Sequence, residues 1–167
     1  MILLIGLGNP GKKYQNTRHN VGHMFVDFFT NQSSSNEGYR LFKTNCFMNE
    51  SGKFVKKITG HYSLDTNPLL IVHDDLDIPF GKFHIQKGVG PKLHNGLKSI
   101  EENLKRNDFW RLRIGVDNRR PENRVGGQSY VLHRFQDDEI SRLQEEIFPK
   151  ITSQLNLFLK SEFLPHI

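Results

Sequence analysis

Met1-Ile2-Leu3-Leu4-Ile5-Gly6-Leu7-Gly8-Asn9-Pro10-Gly11 decides the fold. No polar residue interrupts the run from Met1 to Leu7, and Gly8-Asn9-Pro10-Gly11 then closes it. A strand buried on both faces and ended by a tight turn reads this way, and such strands lie in the middle of sheets covered by helices. Downstream the period changes. Val21, Met24, Phe25 and Phe28 recur at helical spacing, which predicts a helix from about Asn20 to Thr30 packed on the sheet. A polar, Ser-rich surface loop is expected over Asn31 to Gly38, followed by a strand over Tyr39–Phe47.

The alternation continues to the end of the chain. Asn49-Glu50-Ser51-Gly52 turns into a short helix that buries Phe54, Val55 and Ile58, and Leu69–His73 is a second strong strand that ends in Asp74-Asp75-Leu76-Asp77. Phe80–Lys87 has the one-sided alternation of an edge strand, a helix runs from His94-Asn95-Gly96 to about Lys105, and Trp110–Val116 is a further strand. Asp137-Asp138-Glu139 places acidic residues at the dipole of a C-terminal helix that buries Ile140, Leu143 and Ile147. The expected fold class is α/β: a single domain over 1–167, with a twisted, mostly parallel (mixed) sheet and helices on both faces.

Length and composition fit that architecture. The chain has 167 residues, 36% hydrophobic and 25% charged, within the roughly 100–200 residues of one domain and enough to bury a real core. Mean hydropathy is −0.55, and the apolar runs fall far short of the roughly 18 residues of a membrane-spanning helix. The opening lacks a basic stretch, a long apolar segment and a small-residue cleavage site, and the lone Cys46 forms neither an internal disulfide nor a zinc set. A reducing cytoplasm is the expected location. Lys plus Arg number 23 against 18 Asp plus Glu, which favours polyanionic partners at long range.

Three familiar patterns are misleading. Gly6-Leu7-Gly8-Asn9-Pro10-Gly11 matches the dinucleotide fingerprint G-x-G-x-x-G. However, Pro10 removes a backbone donor, the predicted helix starts too late to meet a pyrophosphate, and no acidic residue closes a second strand. The glycines are better read as a turn that presents Asn9. Asp74, Asp75 and Asp77 suggest a divalent cation, yet the sixth and twelfth positions of a calcium loop counted from Asp74 are Pro79 and Ile85. His19 and His23 are four apart, but Asn20 stands where a zinc protease needs Glu. No metal and no cofactor are expected.

In open α/β sheets ligands bind beyond the carboxyl ends of strands. The polar residues there are Asn9, Tyr14, Arg18 and His19 after the first strand, Met48-Asn49 after the second, Asp74 after the third, and His94-Asn95 before the later helix. An imidazole, a carboxylate and several amides in one cleft would supply a general base, a group that orients it, and neutral hydrogen-bonding partners for an acyl substrate. The asparagines serve equally well as caps or turn residues, and Cys46 is expected to be buried beside Phe47.

Five stretches together resemble the bacterial-type peptidyl-tRNA hydrolase family. They are Asn9 to Gly22 (NPGKKYQNTRHNVG), Phe47-Met48-Asn49-Glu50-Ser51-Gly52-Lys53, Val72-His73-Asp74-Asp75-Leu76-Asp77, His94-Asn95-Gly96-Leu97-Lys98-Ser99-Ile100 and Arg111-Leu112-Arg113-Ile114-Gly115-Val116. The resemblance implies hydrolysis of the ester between a peptide and the 3′ end of tRNA, by a monomeric, metal-independent enzyme whose partner is peptidyl-tRNA. It places the catalytic base at His19 and its orienting carboxylate at Asp74. Asn9 and Asn95 match the amides that hold the peptide and its reacting carbonyl, Met48 and Asn49 the cleft wall, and Tyr14 the contact with the tRNA end. Phe47 and His94, inside the matching motifs, are counted with the substrate-binding residues. Arg113 matches a basic position near the 5′ phosphate.

The chain departs from the family pattern before His94, where Lys92-Leu93 stand in place of a usual Gly-Gly pair, with Pro91 ahead of them. The family's phosphate-contacting lysine falls at Gln86, so Lys87 or Lys92 is expected to substitute. The chain is also shorter between Asp27 and Phe47. Lys12, Lys13, Arg18, Lys82 and Lys98 flank the same cleft in sequence and could track phosphates. The competing reading is a non-catalytic RNA- or partner-binding relative on the same fold, which would have no use for a base and its orienter. A nucleotide-dependent oxidoreductase would require NAD(P) to bind.

Overall fold

The computed structural model describes residues 1–32, 38–63 and 68–163. The apolar opening forms β1 (Ile2–Gly6), with every residue buried. Its neighbours are β2 (Tyr39–Lys43) on one side and β3 (Leu69–Pro79) on the other, both parallel to it. β5 (Trp110–Asp117) runs parallel to β3, and β4 (Phe83–Lys87) closes the sheet as an antiparallel edge, giving the order β2-β1-β3-β5-β4. The mostly parallel, mixed sheet is thus as expected.

Alternating strand residues feed two cores. Ile2, Leu4, Leu70, Val72, Leu112 and Ile114 face α1 (Val21–Gln32) and the C-terminal helices, whereas Leu3, Ile5 and Ile71 face α2 (Ser51–Tyr62) and α3 (Asn95–Leu104). Helices therefore cover both faces. The C-terminal run comprises α4 (Gly127–Leu132), α5 (Asp137–Arg142), a π-helical turn over Leu143–Ile147 and α6 (Phe148–Phe163).

The approach of α1 to the sheet depends on Gly22. A Cβ there would lie 2.4 Å from the Val72 carbonyl oxygen and 2.7 Å from that of Leu7. No side chain fits between this helix and the ends of β1 and β3, so the segment just ahead of it is held against those ends.

Several boundaries differ from expectation for local reasons. β2 stops at Lys43 because Thr44 turns inward: its hydroxyl accepts from Gly8 N and donates to Gly8 O. β4 begins only at Phe83, after a turn in which Gly81 takes φ 93° and Lys82 N donates to Pro79 O. The acidic cluster after His73 does not end β3, since pairing with β5 continues through Asp74 and Asp75 and resumes at Pro79 after a bulge. Helix α1 extends through Asn31 and Gln32, and most of the expected Ser-rich loop lies at 33–37, outside the described residues. No helix among the described residues is long and apolar enough to cross a membrane.

Candidate active site

The chain leaves β1 toward β2 on one side and later returns to place β3 on the other. The carboxyl ends of β1 and β3 therefore flank a topological switch point, where open α/β sheets form their crevice. Pairing between them ends at Gly6 and Val72, and Leu7 N makes a last bond to Val72 O. From His73 onward β3 has no strand on that side. The space is filled by the one-turn helix Arg18–Asn20, which carries His19.

His19 Nδ1 lies 2.8 Å from Asp74 Oδ1, and His94 Nε2 lies 2.9 Å from the same oxygen. Hydrogen-bond bookkeeping assigns the protons. His94 caps α3, its Nδ1 accepting from Leu97 N at 3.2 Å, so its proton sits on Nε2 and is donated to Asp74. Asp74 is 2% exposed, and as a carboxylate it only accepts, so His19 donates from Nδ1. The His19 Nε2 lone pair is then free of any partner among the described residues and is not sealed from solvent.

Burial favours the neutral form of both partners, but their mutual attraction prevails. Burial alone would lower the His19 pKa, yet the Asp74 charge and hydrogen bond hold it above the ordinary histidine value. Burial likewise opposes the Asp74 charge, but the two imidazoles keep its pKa well below the usual carboxylate range. His73, fully buried with its ring 5.2 Å from that of His94, donates from Nδ1 to the Asp74 carbonyl, and burial pushes it down to about 3. His19, Asp74 and His94 also form the one group of metal-ligating type compact enough to hold an ion among the described residues, with ligand atoms within 4.8 Å of one another. Those atoms are already bridged by two N–H···O bonds, so a cation would have to displace both protons.

Asn9 is 7% exposed and fixed from three directions. Its backbone N donates to Asn20 Oδ1, its carbonyl accepts from Asn20 Nδ2, and its own Oδ1 accepts from Met48 N at 2.8 Å. The Asn9 Nδ2 remains as a donor with no hydrogen bond among the described residues. Met48 is buried, and a Cβ on Gly96 would lie 2.5 Å from its Sδ, which brings the Met48 turn against the start of α3. Tyr14 meets the exposed Phe47 edge-on at 6.2 Å. Asn49 and Asn95 are exposed, and among the described residues neither side chain hydrogen-bonds His19 or Asp74. Asn20, which clamps Asn9, is missed by the sequence reading, although it directly follows His19.

Two expected phosphate contacts have other partners. Arg18 is buried, its Nη2 at 2.7 Å from Glu139 Oε2 and its Nη1 on the carbonyls of His133 and Arg134, so it ties the His19 turn to the C-terminal helices and does not face a ligand. Breaking a buried pair from one side leaves an uncompensated charge, so Arg18→Met is expected to cost about 3–5 kcal/mol of stability in denaturant unfolding. Arg113 is 8% exposed, with Nε on Asp75 and Nη1 on Gln86. Lys87 and Lys92 are exposed, and Lys92 N donates to Asp77 Oδ2. Cys46 is half-buried, short of the burial expected, since β2 has already ended before it.

An α/β sheet whose switch point holds an imidazole–carboxylate couple beside a fixed amide has the groups that hydrolase chemistry uses. Comparison with known proteins narrows this further. The family model "Peptidyl-tRNA hydrolase" matches residues 3–166, and the chain belongs to that family. The peptidyl-tRNA hydrolase of Wolinella succinogenes is 37% identical over 176 residues, covering 97% of this chain and 89% of that protein. That of Rickettsia bellii is 36% identical over 180 residues, covering 97% and 95%. The crystal structure of peptidyl-tRNA hydrolase from Acinetobacter baumannii superposes with a TM-score of 0.79 at 28% identity, covering 97% of this chain and 90% of that one.

Proposed function

We propose that this protein hydrolyses the ester of peptidyl-tRNA with His19 as general base. The observation that carries this reading is the 2.8 Å His19 Nδ1–Asp74 Oδ1 bond, which leaves Nε2 as the open, unprotonated nitrogen. In the reaction, Nε2 takes a proton from water as the water oxygen attacks the ester carbonyl. Asp74 stabilises the imidazolium that forms. Collapse of the tetrahedral adduct breaks the bond to the ribose oxygen, which receives the proton from Nε2, leaving a free peptide acid and tRNA. The Asn9 amide is suited to the carbonyl oxygen because its Oδ1 is occupied by Met48 N and its Nδ2 is the group left to donate.

Asn95 and Tyr14 are assigned to the peptide and the tRNA end, and Phe47, Met48, Asn49 and His94 to the cleft around them. Phosphate contact falls to the exposed Lys87 and Lys92, with Arg113 offering only its remaining Nη2. The enzyme acts as a cytoplasmic monomer without a metal. The test is to incubate N-acetyl-aminoacyl-tRNA and unblocked aminoacyl-tRNA with the protein, with and without EDTA. Cleavage of the blocked ester alone, at the same rate in chelator, is expected. A blocked ester left intact would refute the activity, and loss of rate in EDTA would refute the metal-free mechanism.

A further inference from the structure

Past Val72 the β1 side of β3 is an open edge. Pairing between the two strands ends at Gly6 and Val72, and the last bond runs from Leu7 N to Val72 O. Backbone carbonyls two residues apart in a strand point the same way, so Asp74 O is aimed where β1 would continue, and β1 has already ended. The gap is closed from within β3. His73 Nδ1 lies 2.7 Å from Asp74 O, and a carbonyl only accepts, so the imidazole carries its proton on Nδ1. The same ring stands 5.2 Å from the His94 ring at 73°, close to edge-to-face, and His94 Nε2 donates to Asp74 Oδ1 at 2.9 Å. His73 thus touches both the peptide that carries the carboxylate and the imidazole that holds it. A histidine is a costly way to fill this place. His73 is 0% exposed, and its Nε2, left as an acceptor, has no partner among the described residues. A buried acceptor without a donor is destabilising, and an apolar side chain of similar size would avoid it. Burial keeps the ring neutral, so what it contributes is a fixed N–H and not a charge.

We propose that His73 is a positioning residue for the hydrolysis: its Nδ1–H locks the Asp74 peptide at the open edge of β3 and its ring backs His94, which together hold the carboxylate against His19 Nδ1. Being fully buried, His73 meets neither the attacking water nor the ester, and it acts through Asp74. The inference rests on the reading of His19 and Asp74 as a base and its orienter. A carboxylate that turned with an unheld peptide would let the His19 ring turn with it, and general-base catalysis depends on an imidazole fixed toward the water.

The test compares substitutions at position 73 on N-acetyl-aminoacyl-tRNA, with a thermal melt of each protein. His73→Leu, which removes the donor, is expected to lower kcat by roughly 10–100-fold, the range for groups that orient functional side chains, with KM unchanged. His73→Asn, whose Nδ2 can donate from close to the place of the imidazole Nδ1, should stay near the parent. In an Asp74→Ala background His73→Leu should lower the rate no further, because the group it positions is gone, whereas a general disturbance of the cleft would add. His73→Phe, which keeps a ring of similar outline without the donor, replaces the leucine variant if that one melts well below the parent, with the same outcomes expected. Equal losses in the leucine and asparagine variants, a parental kcat in His73→Leu, or additive losses over Asp74→Ala would overturn the positioning role while leaving the hydrolase reading intact. If the parent itself leaves the blocked ester uncut, both readings fall.

Discussion

His19→Ala is expected to lower kcat on N-acetyl-aminoacyl-tRNA by about 10²–10⁴-fold, the usual worth of a positioned general base, with KM little changed. On the general-base reading the nitrogen lost does not hold substrate in the ground state and receives a proton only as water attacks, so its removal acts on the transition state. Folding should survive, because the turn carrying position 19 is anchored by its neighbours: Arg18 on Glu139 and Asn20 on Asn9. Single-turnover rates with excess enzyme, compared with equilibrium binding of intact substrate, separate the two effects. A variant that turns over within a few-fold of the parent would remove His19 from the chemistry.

Asp74→Asn is the second large effect, and it carries a signed pH dependence. His19 must be neutral to accept a proton, so activity rises as pH climbs through its pKa, which Asp74 holds above the ordinary value of about 6.5. The amide oxygen introduced by this substitution can still accept from His19 and His94, but the charge is gone. Both influences that raise the His19 pKa weaken, and burial, which lowers it, remains. The acid limb of the pH–rate profile should therefore move to lower pH. At the same time the plateau should fall, by roughly 10²–10⁴-fold if loss of imidazolium stabilisation resembles that of other imidazole–carboxylate couples. Measuring kcat/KM from pH 5 to 9 for both proteins checks this. A limb that stays in place, or moves up, would mean that Asp74 does not set the charge on His19.

The two variants interrogate different members of one hydrogen-bonded unit, so their effects should not add. Once His19 is gone, the Asp74 substitution should cost little further rate. A double variant as slow as the product of the two single losses would instead assign them independent roles.

Much of this protein was legible in the chain itself. Uninterrupted apolar runs at Met1–Leu7 and Leu69–Val72 require strands covered on both faces, and helical spacing between strands supplies the cover. His19, Asp74, Asn9 and His94 stood out because polar residues at strand ends face the crevice of such a sheet. Side-chain pairings across the fold were another matter. Arg18 and Arg113 read as cations free for phosphate, but their partners Glu139 and Asp75 lie 121 and 38 residues away.

The amino-acid order by itself determined the α/β class, the near-central first strand and the residue types of the candidate site, because periodicity and turn chemistry act over a few neighbours. Only the tertiary structure decided that two imidazoles share one carboxylate oxygen, that His19 keeps Nε2 open, and that β3 runs on past the end of β1, leaving the Asp74 carbonyl to His73. Those outcomes depend on distances between segments remote in the chain, and such distances exist only once the sheet has brought the segments together.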